Sequence, residues 1–377
     1  MLQASGPSLV LQGDSHSSPG QSVDLRDERR KLRGVLKEAQ RGLTDARSAR
    51  LCMLPGGGEV VRVSVGALLV AHVSGVHRCG SPWSCPMCSP VVAEAKAADI
   101  TEGVRAHLAV GGGVEFVTLT GAHRLGDRLA PLFGLCCRAL GRLLTGRPWE
   151  RLAEAFGYVG SIRVVEVTCR GPNGWHPHTH ALMLFDQPLA AQQRRALRSH
   201  LFGRWQATLT RAGFGALHPV HGVDVELVGS VEDLGKYLTK SGSFANIGHE
   251  MARGDLKRWQ GSPWSLLMDW ALCGDLEARS LWSEYEAATF GRKFVQWSKG
   301  LRGRLGLDVE KTDEELAVLE GEDLALVEVM IGGDVWRQWV RAGEVGVLLR
   351  QIEEIAALFI ILAGYSGTVR GLSDGEA

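Results

Sequence analysis

Hydrophobic and polar positions alternate with a period of two over residues 162–168, run apolar through 181–185, and return to strand-like character at 114–120 and 223–228. Alternation of this kind predicts half-buried strands, and the Gly171-Pro172-Asn173-Gly174 turn predicts that the first two fold into a hairpin. Longer periodic segments predict helices at 90–110, 130–144, 194–211 and 231–240. Strands interspersed with helices, with the central strands joined by a hairpin, predict an α+β fold. In it a central antiparallel sheet carries flanking helices, rather than a doubly wound parallel sheet. No internal repeat is evident.

The candidate chemistry sits on those strands. In Trp175-His176-Pro177-His178-Thr179-His180 the histidines occupy alternate positions, so His178 and His180 share one strand face and can grip one metal ion. Glu166, the only acid of the preceding strand, is brought beside them by the hairpin. Two imidazoles and one carboxylate leave coordination positions open, which lets a metal polarise a substrate oxygen. His123 is the alternative source of the third ligand. The segment 231–240 places Asp233, Tyr237 and Lys240 on one side of a helix, with Glu232 adjacent.

A second metal site is written in the cysteines. Eight cysteines without an export signal point to reduced thiols or metal ligands rather than disulfides. Cys85 and Cys88 form a close pair with Cys79 six residues earlier, the spacing of a zinc knuckle. A fourth ligand is required; Cys52 is the first candidate, because residues 60–73 can return as a hairpin, and His77 is the nearby alternative.

Composition constrains the rest. The 377 residues are 45% hydrophobic, enough for two or three cored domains. Lys plus Arg number 42 and Asp plus Glu 42, so the net charge of zero argues against a uniformly basic nucleic-acid binder. The charge is segregated, however. Arg194, Arg195, Arg198, Arg204 and Arg211 form one basic block and Arg292, Lys293, Lys299, Arg302 and Arg304 another, while 308–328 is acidic. Residues 1–21, rich in Ser, Gly and Gln, read as a disordered tail rather than a secretory signal. The apolar run 355–362 is shorter than the roughly 20 residues a bilayer crossing needs, so the expectation is a cytoplasmic protein without a membrane span.

Taken in order, Phe116-Val117-Thr118-Leu119-Thr120, Glu166-Val167-Thr168, Trp175-His176-Pro177-His178-Thr179-His180 and Tyr237-Leu238-Thr239-Lys240 resemble the replication initiators of rolling-circle plasmids of actinobacteria, members of the HUH endonuclease superfamily. The resemblance runs from about residue 52 to 307 and takes in Trp297-Ser298-Lys299-Gly300-Leu301. It departs at Thr179, where the superfamily has a bulky apolar residue, and at Asp233, where related initiators usually have Glu. It implies an HUH-type sheet. With the marks along the chain, the expected division is a tail and basic helical segment (1–45), a Cys-rich zinc module (46–98), a nuclease domain (99–245), a DNA-binding extension (246–306) and, outside the resemblance, an acidic helical C-terminal region (307–377).

The implied activity is metal-dependent nicking and rejoining of single-stranded plasmid origin DNA. Tyr237 is the nucleophile, Lys240 its electrostatic support, and Asp233 or Glu232 the carboxylate that ends a round. Mn²⁺ or Mg²⁺ sits on His178, His180 and Glu166 or His123. Arg194, Arg195, Arg198, Arg204, Lys299 and Arg302 contact DNA, and a host helicase and polymerase act alongside. A relaxase or single-strand transposase of the same superfamily, a zinc hydrolase, and a zinc-bearing DNA-binding regulator are the competing readings.

Overall fold

The two segments predicted to pair form the longest hairpin among the described residues: β4 (Tyr158–Gly171) turns into β5 (Gly174–Phe185), with Gly171 opposite Gly174. Gly174 takes φ +75°, a left-handed conformation that a Cβ would strain, which is why a glycine closes this turn. The structure, a computed structural model, describes residues 19–57, 60–121, 123–171, 174–234, 261–318 and 325–373.

In chain order the helices are α1 (Pro19–Leu43), α2 (Arg47–Leu51), α3 (Ser89–Ala109), α4 (Leu129–Cys137), α5 (Ala139–Leu143), α6 (Gly146–Phe156) and α7 (Ala191–Arg211), followed after residue 260 by α8 (Trp264–Cys273), α9 (Leu276–Thr289), α10 (Leu301–Arg304), α11 (Asp313–Val318), α12 (Gly333–Arg341) and α13 (Val345–Ser373). The remaining strands are β1 (Val60–Val65), β2 (Ala71–Ser74), β3 (Gly113–Thr120), β6 (Val223–Leu227), β7 (Val295–Trp297) and β8 (Val327–Gly332). They make two antiparallel sheets, β6-β3-β5-β4-β7 and β2-β1-β8. The expected α+β class with a central antiparallel sheet is what forms.

Local signals explain the element ends. Pro90 sits in the first turn of α3, where its missing N–H costs nothing. Asp275 caps α9 by accepting from the backbone N–H groups of Glu277 and Ala278. Gly157 ends α6 in the left-handed region at φ +65° and feeds β4.

Each sheet has its own core. The five-stranded sheet is sandwiched by helices, with Leu119, Phe133, Phe185, Trp205, Trp264 and Trp282 fully buried among its neighbours. One face of β5 is backed by α4, where Thr179 donates to the Cys136 carbonyl at 3.0 Å. On the other face α3 covers only one end, where Gly103 abuts Trp297. The histidines lie toward the opposite end of the same strand. Trp83, Trp175, Trp205, Trp264 and Trp297 are all buried, so none of these rings is presented to solvent.

The C-terminal region differs from expectation. It is not wholly helical: β8 pairs along the full length of β1, from Val60↔Gly332 to Val65↔Val327. Ile331, Trp336, Val340 and Leu349 share a core with Cys52, Cys79, Cys85 and Cys88, and the Trp336 indole donates to the Met53 carbonyl at 2.8 Å. The N-terminal helix joins the same unit, where Arg30 forms a two-pronged 2.7 Å ion pair with Glu353 of α13. Chain ends distant in sequence thus complete the Cys-rich module.

Candidate functional site

The strand register assembles the first cluster. Glu166 is the direct cross-strand partner of His178, and Thr118 that of His180, so all four side chains project from one face. One donor atom each from Glu166, His178 and His180 lies within 4.8 Å of the others. The Glu166 Oε2 to His180 Nε2 distance is 3.0 Å, and Thr118 Oγ1 lies 3.2 Å from His180 Nδ1. Phe116 stacks on the His180 ring at 5.4 Å and closes its flank.

Burial sets the charge state of this face. It pushes His180 down to about 4. Burial, with the neighbouring His180 and His123, takes His178 down to about 3. Burial also raises Glu166 to about 8. At neutral pH the group therefore holds neutral imidazoles and a protonated carboxyl, and the Glu166–His180 contact is a neutral hydrogen bond rather than an ion pair. The carboxyl O–H donates to His180 Nε2, and the Nδ1–H of the same ring donates to Thr118 Oγ1. That tautomer turns the Nε2 lone pair toward Glu166 and His178.

The residues fit a metal ion on an independent observation: His178 Nε2 is buried and has no hydrogen-bond partner among the described residues. A buried nitrogen without a partner is costly, and an ion shared with His180 and Glu166 supplies one.

The alternative ligand, His123, is placed one ring further out. Its Nδ1 lies 3.0 Å from the Gly121 carbonyl, and its ring lies tilted against His176 at 4.2 Å; His176 in turn meets His178 edge-on at 3.9 Å. It stands outside the Glu166, His178 and His180 group. Sequence reasoning passed over Thr118 as a site residue. Its signal was positional, since a hydroxyl alternating along β3 matters only once the register puts it opposite His180.

Tyr237 and Lys240 lie outside the described residues. The helical turn leading to them is described: Ser230 Oγ accepts from the Asp233 N–H at 3.2 Å, and Leu234 is fully buried. Glu232 is fully exposed, and hydrogen bonding to its own backbone and to Ser230 holds its carboxyl below the usual range.

The second cluster brings together Cys52, Cys79, Cys85 and Cys88, all buried thiols. Sγ–Sγ separations are 3.7 Å for Cys52–Cys85, 3.6 Å for Cys52–Cys88 and 3.8 Å for Cys79–Cys88. Four thiolates about 2.3 Å from a shared zinc would define a tetrahedron with edges of about 3.8 Å, so the set fits that ion. The open choice of fourth ligand resolves to Cys52. His77 is exposed; its backbone instead exchanges hydrogen bonds with Met53 and Leu54 and so closes Cys52 onto the knuckle. Lys37 of α1 points its ammonium at Cys85 Sγ, 3.8 Å away, and donates to Gln40 Oε1 and the Ala49 carbonyl. Burial disfavours that charge, but the thiolates of Cys85, Cys52 and Cys79 hold it above its ordinary range.

The predicted DNA-contacting arginines mostly serve the fold. Arg194 makes a two-pronged pair with Glu115, 2.7 and 3.0 Å, and Glu115 alternates with Thr118 along β3, on the face away from the histidines. Arg198 donates to the carbonyls of Val223, Pro219 and Val220. Arg204 donates to the Arg142 carbonyl and Thr145 Oγ1. Arg302 joins Asp99 at 2.7 Å and covers the Trp297 ring. These four guanidinium groups are thus each held by a carboxylate or by backbone carbonyls of the fold. Of the six, Arg195 and Lys299 are exposed.

Compared with known proteins, the chain is 31% identical over 325 residues to "Protein rep" of Streptomyces lividans, covering 70% of this chain and 71% of that protein. It is 35% identical over 157 residues to "Neomycin resistance protein" of Streptomyces cyanogenus, covering 35% of each. No family model matches the chain, and no solved structure matches it. No helix among the described residues is long and apolar enough to cross a membrane.

Proposed function

Because the chain belongs to the family of Rep proteins represented by that of Streptomyces lividans, we propose that it initiates rolling-circle replication of a plasmid by nicking and rejoining single-stranded origin DNA. The observation that carries the reading is the buried Nε2 of His178, without a partner among the described residues, beside Glu166 and His180. These three residues would hold the catalytic ion, Mn²⁺ or Mg²⁺, and the four cysteines a structural zinc.

Tyr237 attacks the scissile phosphorus; the bond from phosphorus to the 3′ oxygen breaks, the 5′ phosphate becomes joined to the tyrosine, and a 3′ hydroxyl is freed for a polymerase. A free phenol titrates near 10, so about one in a thousand is ionised at neutral pH, a handicap of roughly 4 kcal/mol. Lys240, three residues on, lowers it by favouring the phenolate. When bound, the divalent ion neutralises the non-bridging phosphate oxygens and aligns them for in-line attack. Thr118 holds His180 in the tautomer that faces the ion. Reversal of the same step, with a displaced 3′ hydroxyl as nucleophile, rejoins the strand.

Asp233 or Glu232 acts at termination, activating water against the regenerated junction. Arg195 and Lys299, with Arg292 and Lys293, are exposed cations that would meet the DNA backbone, and a host helicase and polymerase would act on the nicked product.

Incubation with single-stranded origin DNA and Mn²⁺ should give a protein-linked 5′ fragment. Tyr237→Phe, which removes one oxygen, should abolish the adduct and leave DNA binding unchanged. An undiminished adduct in that variant would remove Tyr237 from the role, and nicking without any adduct would favour a metal-bound hydrolase. In the Asp233→Asn, Glu232→Gln double variant, nicking should persist while unit-length circles give way to longer products.

A further inference from the structure

Outside the histidine face, one cleft places a cation that lacks a described partner beside open space. It holds about 300 Å³ between α1, β2 and the α12–α13 turn, and is lined by Arg30, Arg33, Lys37 and Arg78 together with apolar groups such as Met53 and Leu349. α1 and the α12–α13 turn approach closely enough to form its wall because Gly34 meets the Gly343 carbonyl, leaving no room for a Cβ.

The four cations differ in what they are bonded to. Arg30 is spent on Glu353, and Lys37 on Gln40, the Ala49 carbonyl and Cys85. Glu38, the acid on the wall, is paired with Arg41. Arg33 makes no hydrogen bond or ion pair with any described residue, and its Nε is fully buried. Arg78 gives one terminal nitrogen to the Val73 carbonyl at 3.2 Å, while the other lies 2.7 Å from the Met53 sulfur, a weak acceptor. Burial, together with Arg29 and Arg30, draws Arg33 down to about 10, against a smaller opposing pull from the exposed Glu94. That still leaves it charged at neutral pH.

A largely buried cation whose Nε lacks a partner is expensive, and no described carboxylate pairs with this one. Guanidinium groups from two segments that line one small cleft match a tetrahedral oxyanion that accepts from both. We propose that this cavity is a phosphate-binding site, in which Arg33 and Arg78 grip a phosphoryl group carried by a small nucleotide or by a DNA end. It lies in the Cys-rich module and is independent of the chemistry assigned to the histidine face.

The test uses the full chain with its zinc, in phosphate-free buffer, titrated calorimetrically with pyrophosphate and followed by thermal unfolding. Saturable one-to-one binding and a raised Tm are expected. Arg33→Met and Arg78→Gln should each weaken binding about tenfold or more, the scale of a lost charge-assisted hydrogen bond. In anion-free buffer Arg33→Met should unfold at a higher temperature than the wild type, because a buried unpaired charge has gone. His178→Ala should bind pyrophosphate normally. Competition by ATP, or by a 5′-phosphorylated oligonucleotide and not its unphosphorylated twin, then identifies the source of the phosphate. Absence of saturable binding to the wild type, or equal affinity in the folded variants, overturns the proposal. If Arg33→Met fails to fold, Arg33→Lys, which keeps the charge and loses the fork, is judged by the same affinities.

Discussion

Raising the pH from about 6 to about 8 should tighten divalent-ion binding at the histidine face, and Glu166 should account for the change. A metal ligand must be deprotonated, and burial holds the Glu166 carboxyl at about 8, so below that pH each ion that binds displaces one proton. The imidazoles contribute no slope in this window, since burial keeps His178 near about 3 and His180 near about 4. The ionised fraction of Glu166 is about 1 in 100 at pH 6 and about 1 in 2 at pH 8, a change of about 50-fold in apparent affinity. With excess ion this adds about 2 kcal/mol of metal-linked stability. In the metal-free protein the sign reverses: a carboxyl raised from its ordinary 4.5 to about 8 withdraws stability as pH climbs between those values, because the folded state then binds the extra proton. Calorimetric Mn²⁺ titrations across this range, on protein that retains its zinc, would measure both the slope and the proton release. Glu166→Gln should bind more weakly and lose the slope. A wild-type curve with its midpoint near the ordinary histidine value, or a Glu166→Gln curve of unchanged slope, would refute the reasoning.

Three further outcomes follow from named contacts. Thr118→Val keeps the strand but removes the acceptor for His180 Nδ1, so Mn²⁺ affinity should fall about tenfold with the far-ultraviolet spectrum unchanged, while Thr118→Ser should restore it. Cys52→Ser should lose tightly held zinc in elemental analysis and unfold at a markedly lower temperature, because the thiols sit inside the core shared by β1, α12 and α13; full zinc retention would exclude Cys52 as a ligand. Arg194→Ala strands the fully buried Glu115 and should cost about 3 kcal/mol in denaturant unfolding, discounted for the partly exposed arginine; a loss of DNA affinity without loss of stability would return Arg194 to the nucleic-acid interface.

Much of the histidine site was legible along the chain because its geometry is local. Period-two alternation and one glycine-closed turn suffice to put Glu166, His178 and His180 together, since a strand has only two faces and a tight hairpin few registers. The cysteine spacing was equally local for Cys79, Cys85 and Cys88. What surrounds these clusters was decided by pairing between distant segments. β8 completes the sheet begun by β1, and local periodicity does not say which distant strand an edge will accept. The choice of Cys52 over His77 depended on backbone hydrogen bonds that close a loop, and the role of Thr118 on which strand lies beside β5. The arginines show the limit most clearly. A run of like charge in sequence carries no direction, and only the packed structure placed Glu115 and the free carbonyls where Arg194 and Arg198 could reach them. Sequence thus determined the chemistry available on each element, because side-chain period follows from backbone geometry. Tertiary structure decided which of those groups are spent on the fold and which stay free to act, because hydrogen-bond partners and burial are properties of the packed chain.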